Sequence, residues 1–170
     1  MQQHVYDHLV HLSTLTDLPM PQFRDAIIEA MCDITASEVA YFYASDLDGE
    51  HLTLLGYSKS VMQACQIVDK PAVYHVTETG MWGDAVRERQ AIITNNYATT
   101  SRPSKRGTPE GHVPLIRHMN TPIFEGDSIV AVVGVANKPT DYTAEDVENL
   151  QDLMANIWME FRDALWAAIW

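Results

Sequence analysis

Six basic side chains fall between positions 84 and 117: Arg87, Arg89, Arg102, Lys105, Arg106 and Arg117. Only Asp84, Glu88 and Glu110 oppose them there, so the stretch is +3 inside a chain of net charge −12. A cationic island in an acidic protein suits a small anionic ligand better than a polyanion, since the wider negative field repels a phosphate backbone. The same stretch also reads as a solvated loop with incidental charge. Thiol chemistry has little to work with. Cys32 and Cys65 are the two cysteines and form no CxxC pair, which excludes a disulfide framework and a zinc ribbon and leaves two small buried hydrophobes. His4, His8 and His11 share one face of a first helix. Such a face can take Zn²⁺ or Ni²⁺ adventitiously, or serve as a polar or subunit-contacting surface. No Gly-rich phosphate loop, HExxH or GxSxG occurs.

Composition sets the frame for these residues. A length of 170 residues suits one compact domain, and 46% hydrophobic content suits a buried core rather than disorder. No apolar run approaches the ~20 residues of a membrane span, and Met1-Gln2-Gln3-His4 lacks the pattern of a signal peptide. A cytoplasmic protein with neither nucleic-acid nor membrane partners is expected.

The elements follow from periodicity. Val5, Leu9 and Leu12 predict a helix over 3–16, ended by Leu18-Pro19-Met20-Pro21. Phe23, Ile27, Ala30, Met31 and Ile34 mark a second helix. Strands are expected at 39–44 and 51–57 as a hairpin, at 72–76, at 91–94, and at about 116–124 and 128–137. A short helix is expected near Ser60 and another over Met81 to Arg89. The run Ile129 to Val135 is apolar on both faces and belongs in the centre of a sheet. From Asn95 to Val113 no period is visible, and loops of this length are usually functional. The sum is an α+β fold, an antiparallel sheet of about six strands with helices on its faces and the terminal helices packed together.

The last helix opens on a capping box, Thr143-Ala144-Glu145-Asp146, with Asp in place of Glu. Val147, Leu150, Met154, Ile157, Phe161, Ala164 and Ala168 then give an a/d seam, flanked by Leu153, Trp158, Leu165 and Ile169. One stripe can cover the sheet and the other can meet a second copy in a four-helix bundle. Alternatively, the first helix folds back and covers the last within a monomer.

The motifs of the second half resemble those of GAF domains. Gly80-Met81-Trp82-Gly83, Arg87-Glu88-Arg89, Asn95-Asn96-Tyr97, Pro109 to Pro114 and Arg117-His118-Met119 resemble a bacterial signalling subgroup, as do Val132 to Lys138 with Tyr142 and Glu145-Asp146. The subgroup usually sits ahead of histidine kinases or diguanylate cyclases. The resemblance implies one domain over 1–170: an N-terminal helix to 17, a sensor core over 20–142 and a signalling and dimerisation helix over 143–170. It also implies a pocket on one sheet face, roofed by residues 60–66, 80–89 and 95–117, where the basic island lies. Walls are then expected from Trp82, Tyr97, Met119, Tyr41 and Tyr43, with polar contacts from Asn96, His112, Arg87 and Arg117. Arg87 and Arg89 are two apart on a helix, so at most one enters the pocket.

Other known GAF chemistries fit less well. Reduction of free methionine sulfoxide uses cysteines in the pocket loop, and 95–117 has none. Covalent bilin uses a cysteine commonly followed by His, and Cys65 is followed by Gln66. Haem needs an axial ligand, for which His75, His112 and His118 are available without further signal. The cyclic-nucleotide signature is matched loosely by Asn137-Lys138, Tyr142 and Glu145-Asp146, which read as a clasp between strand end and helix start. The expected function is therefore a small-molecule-binding regulatory sensor with no cofactor, metal or catalysis, passing its state to an output domain. The alternatives are a ligand-free dimerisation module, or an enzyme using His112 as acid/base.

Overall fold

The computed structural model describes residues 1–46, 48–59, 73–108 and 113–167. Apolar periodicity becomes helix in α1 (Gln3–Ser13), α2 (Met20–Thr35) and the long C-terminal α4 (Ala144–Ala167). Pro21 sits in the first turn of α2, where its missing N–H costs nothing. The strands are β1 (Val39–Ser45), β2 (His51–Tyr57), β3 (Val73–His75), β4 (Ile92–Thr94), β5 (His118–Glu125) and β6 (Ser128–Ala136). They form a six-stranded sheet in the order β3-β2-β1-β6-β5-β4, and every pairing is antiparallel. The doubly apolar β6 lies in the middle, as its sequence requires.

The helix expected from Met81 to Arg89 is mostly absent. Met81–Gly83 is a 3₁₀ turn, and only Asp84–Arg87, here α3, is α-helical. The cause is a side chain that competes for backbone carbonyls. The Arg87 guanidinium donates to the carbonyl oxygens of Val76 and Gly80 and to Thr79 Oγ1, pulling the chain into consecutive tight turns. Arg89 then takes a positive φ of 53° and ends the segment. The short helix expected near Ser60 lies outside the described residues.

The two sheet faces are covered differently. Ala40, Phe42 and Ala44 of β1 and Ala131, Val133 and Val135 of β6 point to a large core shared with α1, α2 and α4. Burying a side chain of Leu or Phe size contributes roughly 1.5–3 kcal/mol, so this layer holds most of the stability. The opposite face carries a smaller cluster, Leu52, Val76, Ala85, Ile92 and Val132 with Tyr43, Trp82 and Val86.

Much of the described α4 seam packs within the chain. Leu150, Leu153, Met154, Ile157, Trp158 and Leu165 are buried against the sheet and the other helices, and Phe161 meets the Phe23 ring of α2 edge-on at 4.9 Å. Val5 and Leu12 of α1 are buried in the same core, and Gln2 and the N-terminal amine bond Glu145 and Asp152 of α4. Within the chain α1 packs along α4, while Ala164 of the seam is exposed and Ala168 and Ile169 lie outside the described residues. Among the described residues, the exposed large apolar side chains on these helices are Tyr6, Val10 and Met159. The reason is area: α2 and α4 lie on the sheet and α1 packs on both of them, so both stripes of α4 are used.

The expected clasp and cap are present. Lys138 Nζ bonds Asp146 Oδ1 at 2.6 Å, and Asp146 Oδ2 accepts from the Thr143 amide at 2.8 Å. No helix among the described residues is long and apolar enough to cross a membrane.

Candidate functional site

Alternation along the central strands builds the floor of a cavity on the thinly covered face. Val39, Tyr41 and Tyr43 point there from β1, and Ala136, Gly134 and Val132 stand opposite them on β6. The next row is His118 and Asn120 of β5, paired with Ala136 and Gly134. Tyr41, Gly134 and Asn120 therefore form one row across three strands. Gly134 lacks the side chain that would separate its neighbours, so the Tyr41 hydroxyl reaches over it and donates to Asn120 Oδ1. Asn120 Nδ2 in turn meets His118 Nδ1 at 2.8 Å.

Above this floor lies a cavity of about 320 Å³, at the small end of the range for ligand pockets. Its walls are aromatic. The Tyr43 and Trp82 rings stack at 4.6 Å with 18° between planes. Tyr74 stands edge-on to Trp82 at 5.5 Å, and Tyr41 is edge-on to Tyr43 at 5.7 Å. Tyr97, Leu54, Met81, Arg106 and His118 complete much of the lining. Burial pushes the Tyr43 phenol far above its ordinary value and lowers His118 to about 4, so both are neutral at physiological pH.

The roof is held by one buried carboxylate. Asp84 is 4% exposed and accepts from Ser104 Oγ at 2.6 Å, Arg87 Nε at 3.1 Å and Arg102 at 3.2 Å. Burial opposes its charge, but the Ser104 hydroxyl and the two guanidinium groups prevail and hold its pKa below the usual carboxylate value. Asp84 thus ties the loop at 102–104 to α3.

Both ends of the long loop are fixed to the segment ahead of α4. At its start, the Asn95 amide makes two hydrogen bonds to the backbone of Tyr142, of 3.1 and 2.8 Å. At its end, Arg117 donates to the carbonyls of Lys138 and Pro139. Asn137, at a positive φ of 62°, bonds the Ile116 amide and the Pro114 carbonyl through its side chain.

Of the residues expected at the site, Trp82, Tyr97, Tyr41 and Tyr43 line the cavity. Met119 does not. It lies between His118 and Asn120 on a strand, so its side chain faces the helices and is fully buried there. Arg87 is spent on the turns around α3, and Arg117 on the strand end. Asn96 is exposed and accepts from the Thr99 amide in a turn. His112 lies outside the described residues. His118 and Tyr74 were missed as lining, and Asn120 as the side chain that bonds His118, although a period of two along β5 places His118 and Asn120 on one face.

The basic island is tied up within the chain, partly by carboxylates and partly by backbone carbonyls. Arg102 pairs with Asp84 and Glu88, Arg89 donates to the Asp127 carbonyl, and Lys105 donates to three loop carbonyls. Arg106 bonds the carbonyls of Thr77 and Glu78 and is the one member of the island at the cavity among the described residues. Among the described residues Arg106 is the cation that a ligand in the cavity would meet. No cluster of three metal-ligating side chains occurs among the described residues.

Known proteins share this architecture. The chain is similar to the GAF domain of a phosphoenolpyruvate-protein phosphotransferase from Acinetobacter, at 13% identity and a TM-score of 0.67, covering 96% of this chain and 97% of that one. It is also similar to free methionine-R-sulfoxide reductase from Neisseria meningitidis, at 13% identity and a TM-score of 0.65, covering 99% and 95%. In sequence it is 41% identical over 150 residues to the methyl sulfide methyltransferase-associated sensor of Methanosarcina acetivorans, covering 88% of this chain but only 15% of that protein. The family model for the GAF domain matches residues 18–161. With that match and a sheet, roof and cavity of this form, the chain belongs to the GAF domain family.

Proposed function

We propose that this chain is the ligand-binding regulatory domain of a signalling protein, with its ligand in the aromatic cavity over β1, β6 and β5. The observation that carries this is the cavity itself: about 320 Å³ of space kept open between a tightly built sheet and a cross-braced roof. A scaffold module with no ligand gains by collapsing such space, because unfilled volume costs packing energy. The sensor role of the Methanosarcina acetivorans relative agrees with the reading.

The path to an output follows from the loop anchors. A ligand that moves the roof pulls on Asn95, Ile116 and Arg117, and all three are bonded to residues 137–142, the segment that feeds α4. The change would leave the domain along α4 toward an output domain. Two copies of this domain would pair through the outer faces of α1 and α4, where Tyr6, Val10 and Met159 are exposed. The reading is non-catalytic. Cys32 is half-buried, bonds Ser58 rather than the cavity, and has its thiol pKa raised by burial, which disfavours the thiolate that reduction would need.

Trp82 reports on the proposal. Its fluorescence should change when a screen of small metabolites yields a compound that raises the melting temperature, and Trp82→Phe should remove most of the change. A signal that survives the substitution would place the ligand elsewhere.

A further inference from the structure

His118, a residue lining the cavity, carries a buried hydrogen-bond donor that is unused. His118 is 5% exposed, and its Nε2 has no partner among the described residues. The rest of the ring is fixed by a directional chain. Tyr41 O–H donates to Asn120 Oδ1, which leaves the Asn120 amide nitrogen to donate to His118 Nδ1. A neutral imidazole carries one proton, and with Nδ1 accepting, that proton is on Nε2. A buried donor left unpaired is costly, on the order of 1–3 kcal/mol.

We infer, on the reading of this cavity as a ligand site, that its ligand is a planar, uncharged molecule carrying a hydrogen-bond acceptor that the His118 Nε2–H receives. Planarity follows from the walls. The stacked Tyr43–Trp82 pair, the edge-on Tyr41 and Tyr74, and Tyr97 at 5.6 Å from the His118 ring present flat π surfaces, which pack best against another flat group. Charge is disfavoured in both senses. A cation would face the Nε2–H and the Arg106 guanidinium. An anion would lose its hydration in an apolar cavity for one guanidinium already bonded to Thr77 and Glu78.

Three probes of nearly one shape separate these claims: quinoline, with a ring-nitrogen acceptor; naphthalene, with none; and N-methylquinolinium, a cation. Long-range proton–nitrogen spectra of the labelled full chain first read the His118 tautomer, which should be Nε2–H with a bare Nδ1. Calorimetry should then give quinoline about tenfold tighter binding than naphthalene, with N-methylquinolinium weakest, and quinoline alone should shift the His118 Nε2 resonance. His118→Phe should keep naphthalene binding and abolish the advantage of quinoline. If quinoline and naphthalene bind equally, or the cation binds best, the ligand class is wrong while the cavity remains a binding site. An Nδ1–H tautomer overturns the donor assignment even in the absence of any ligand. If no probe binds, the cavity reading fails and the ligand class fails with it.

Discussion

Gly134 and Tyr41 stand opposite each other across the β6–β1 ladder, and the phenol of Tyr41 occupies the space a side chain on residue 134 would fill. A Cβ there would also come within 2.5 Å of Asn120 Oδ1. This glycine is at ordinary strand φ, so its role is steric rather than conformational. It lets one hydrogen-bonded chain cross three strands and end at His118. Gly134→Ala should therefore cost about 1–3 kcal/mol through overpacking, measured by urea unfolding. It should also release the Asn120–His118 bond, visible as a change in the His118 tautomer. A variant as stable as the parent would show that the Tyr41 ring moves aside freely.

His118 makes stability pH-dependent in a defined window. Unfolded, the imidazole takes its proton near pH 6.5; in the native protein burial delays this to about 4. Between those values the unfolded state holds more protons, so stability falls as the pH falls and is flat above about 7. Going from pH 7 to 5 should cost about 2 kcal/mol from this group. His118→Phe should remove that part of the slope. Equal slopes for parent and variant would show that His118 titrates normally.

The contrast between fold and site in legibility has a physical basis. Strand and helix positions were readable because each is encoded by local periodicity, and the central place of β6 by its two apolar faces. The wall residues were expected from the family resemblance rather than from periodicity, and Tyr41 and Tyr43, two apart on β1, face the cavity together. Met119 was misplaced by weighing residue type above alternation, when its neighbours His118 and Asn120 already shared the other face. The basic island was legible as a count of charges but not in its partners, several of which are backbone carbonyls. The shortening of the 81–89 helix was not legible at all, since it depends on Arg87 finding the carbonyls of Val76 and Gly80, which no local pattern records.

Asp84 should govern the roof more than the fold. Asp84→Asn keeps the size but removes the charge that holds Arg87, Arg102 and Ser104 together. The two guanidinium groups are each about 30% exposed, so solvent compensates part of the loss. A destabilisation on the order of 2 kcal/mol is expected. Hydrogen exchange should rise selectively over 97–106 and 81–88, with the β1–β6 ladder protected as before. Uniformly faster exchange across the sheet would mean that Asp84 supports the global fold instead.

Phe161 and Met159 distinguish a core helix from a pairing helix. Phe161 belongs to the a/d seam, yet it packs on Phe23 within its own chain. Met159, two positions earlier, is 70% exposed and touches little of that core. Phe161→Glu places a charge against α2 and loses an aromatic contact, so it should destabilise the monomer fold by about 3 kcal/mol or more. Met159→Glu should leave the melting temperature nearly unchanged, because an exposed substitution alters little burial. The two variants divide again in sedimentation equilibrium. If copies pair through the outer faces of α1 and α4, Met159→Glu lowers the mass while the fold stays intact, and Phe161→Glu lowers it only as the protein unfolds. Should Phe161→Glu instead yield a stable, folded monomer from a parent dimer, the seam would be an interface between copies. The packing of Phe161 on Phe23 would then be an arrangement that pairing displaces.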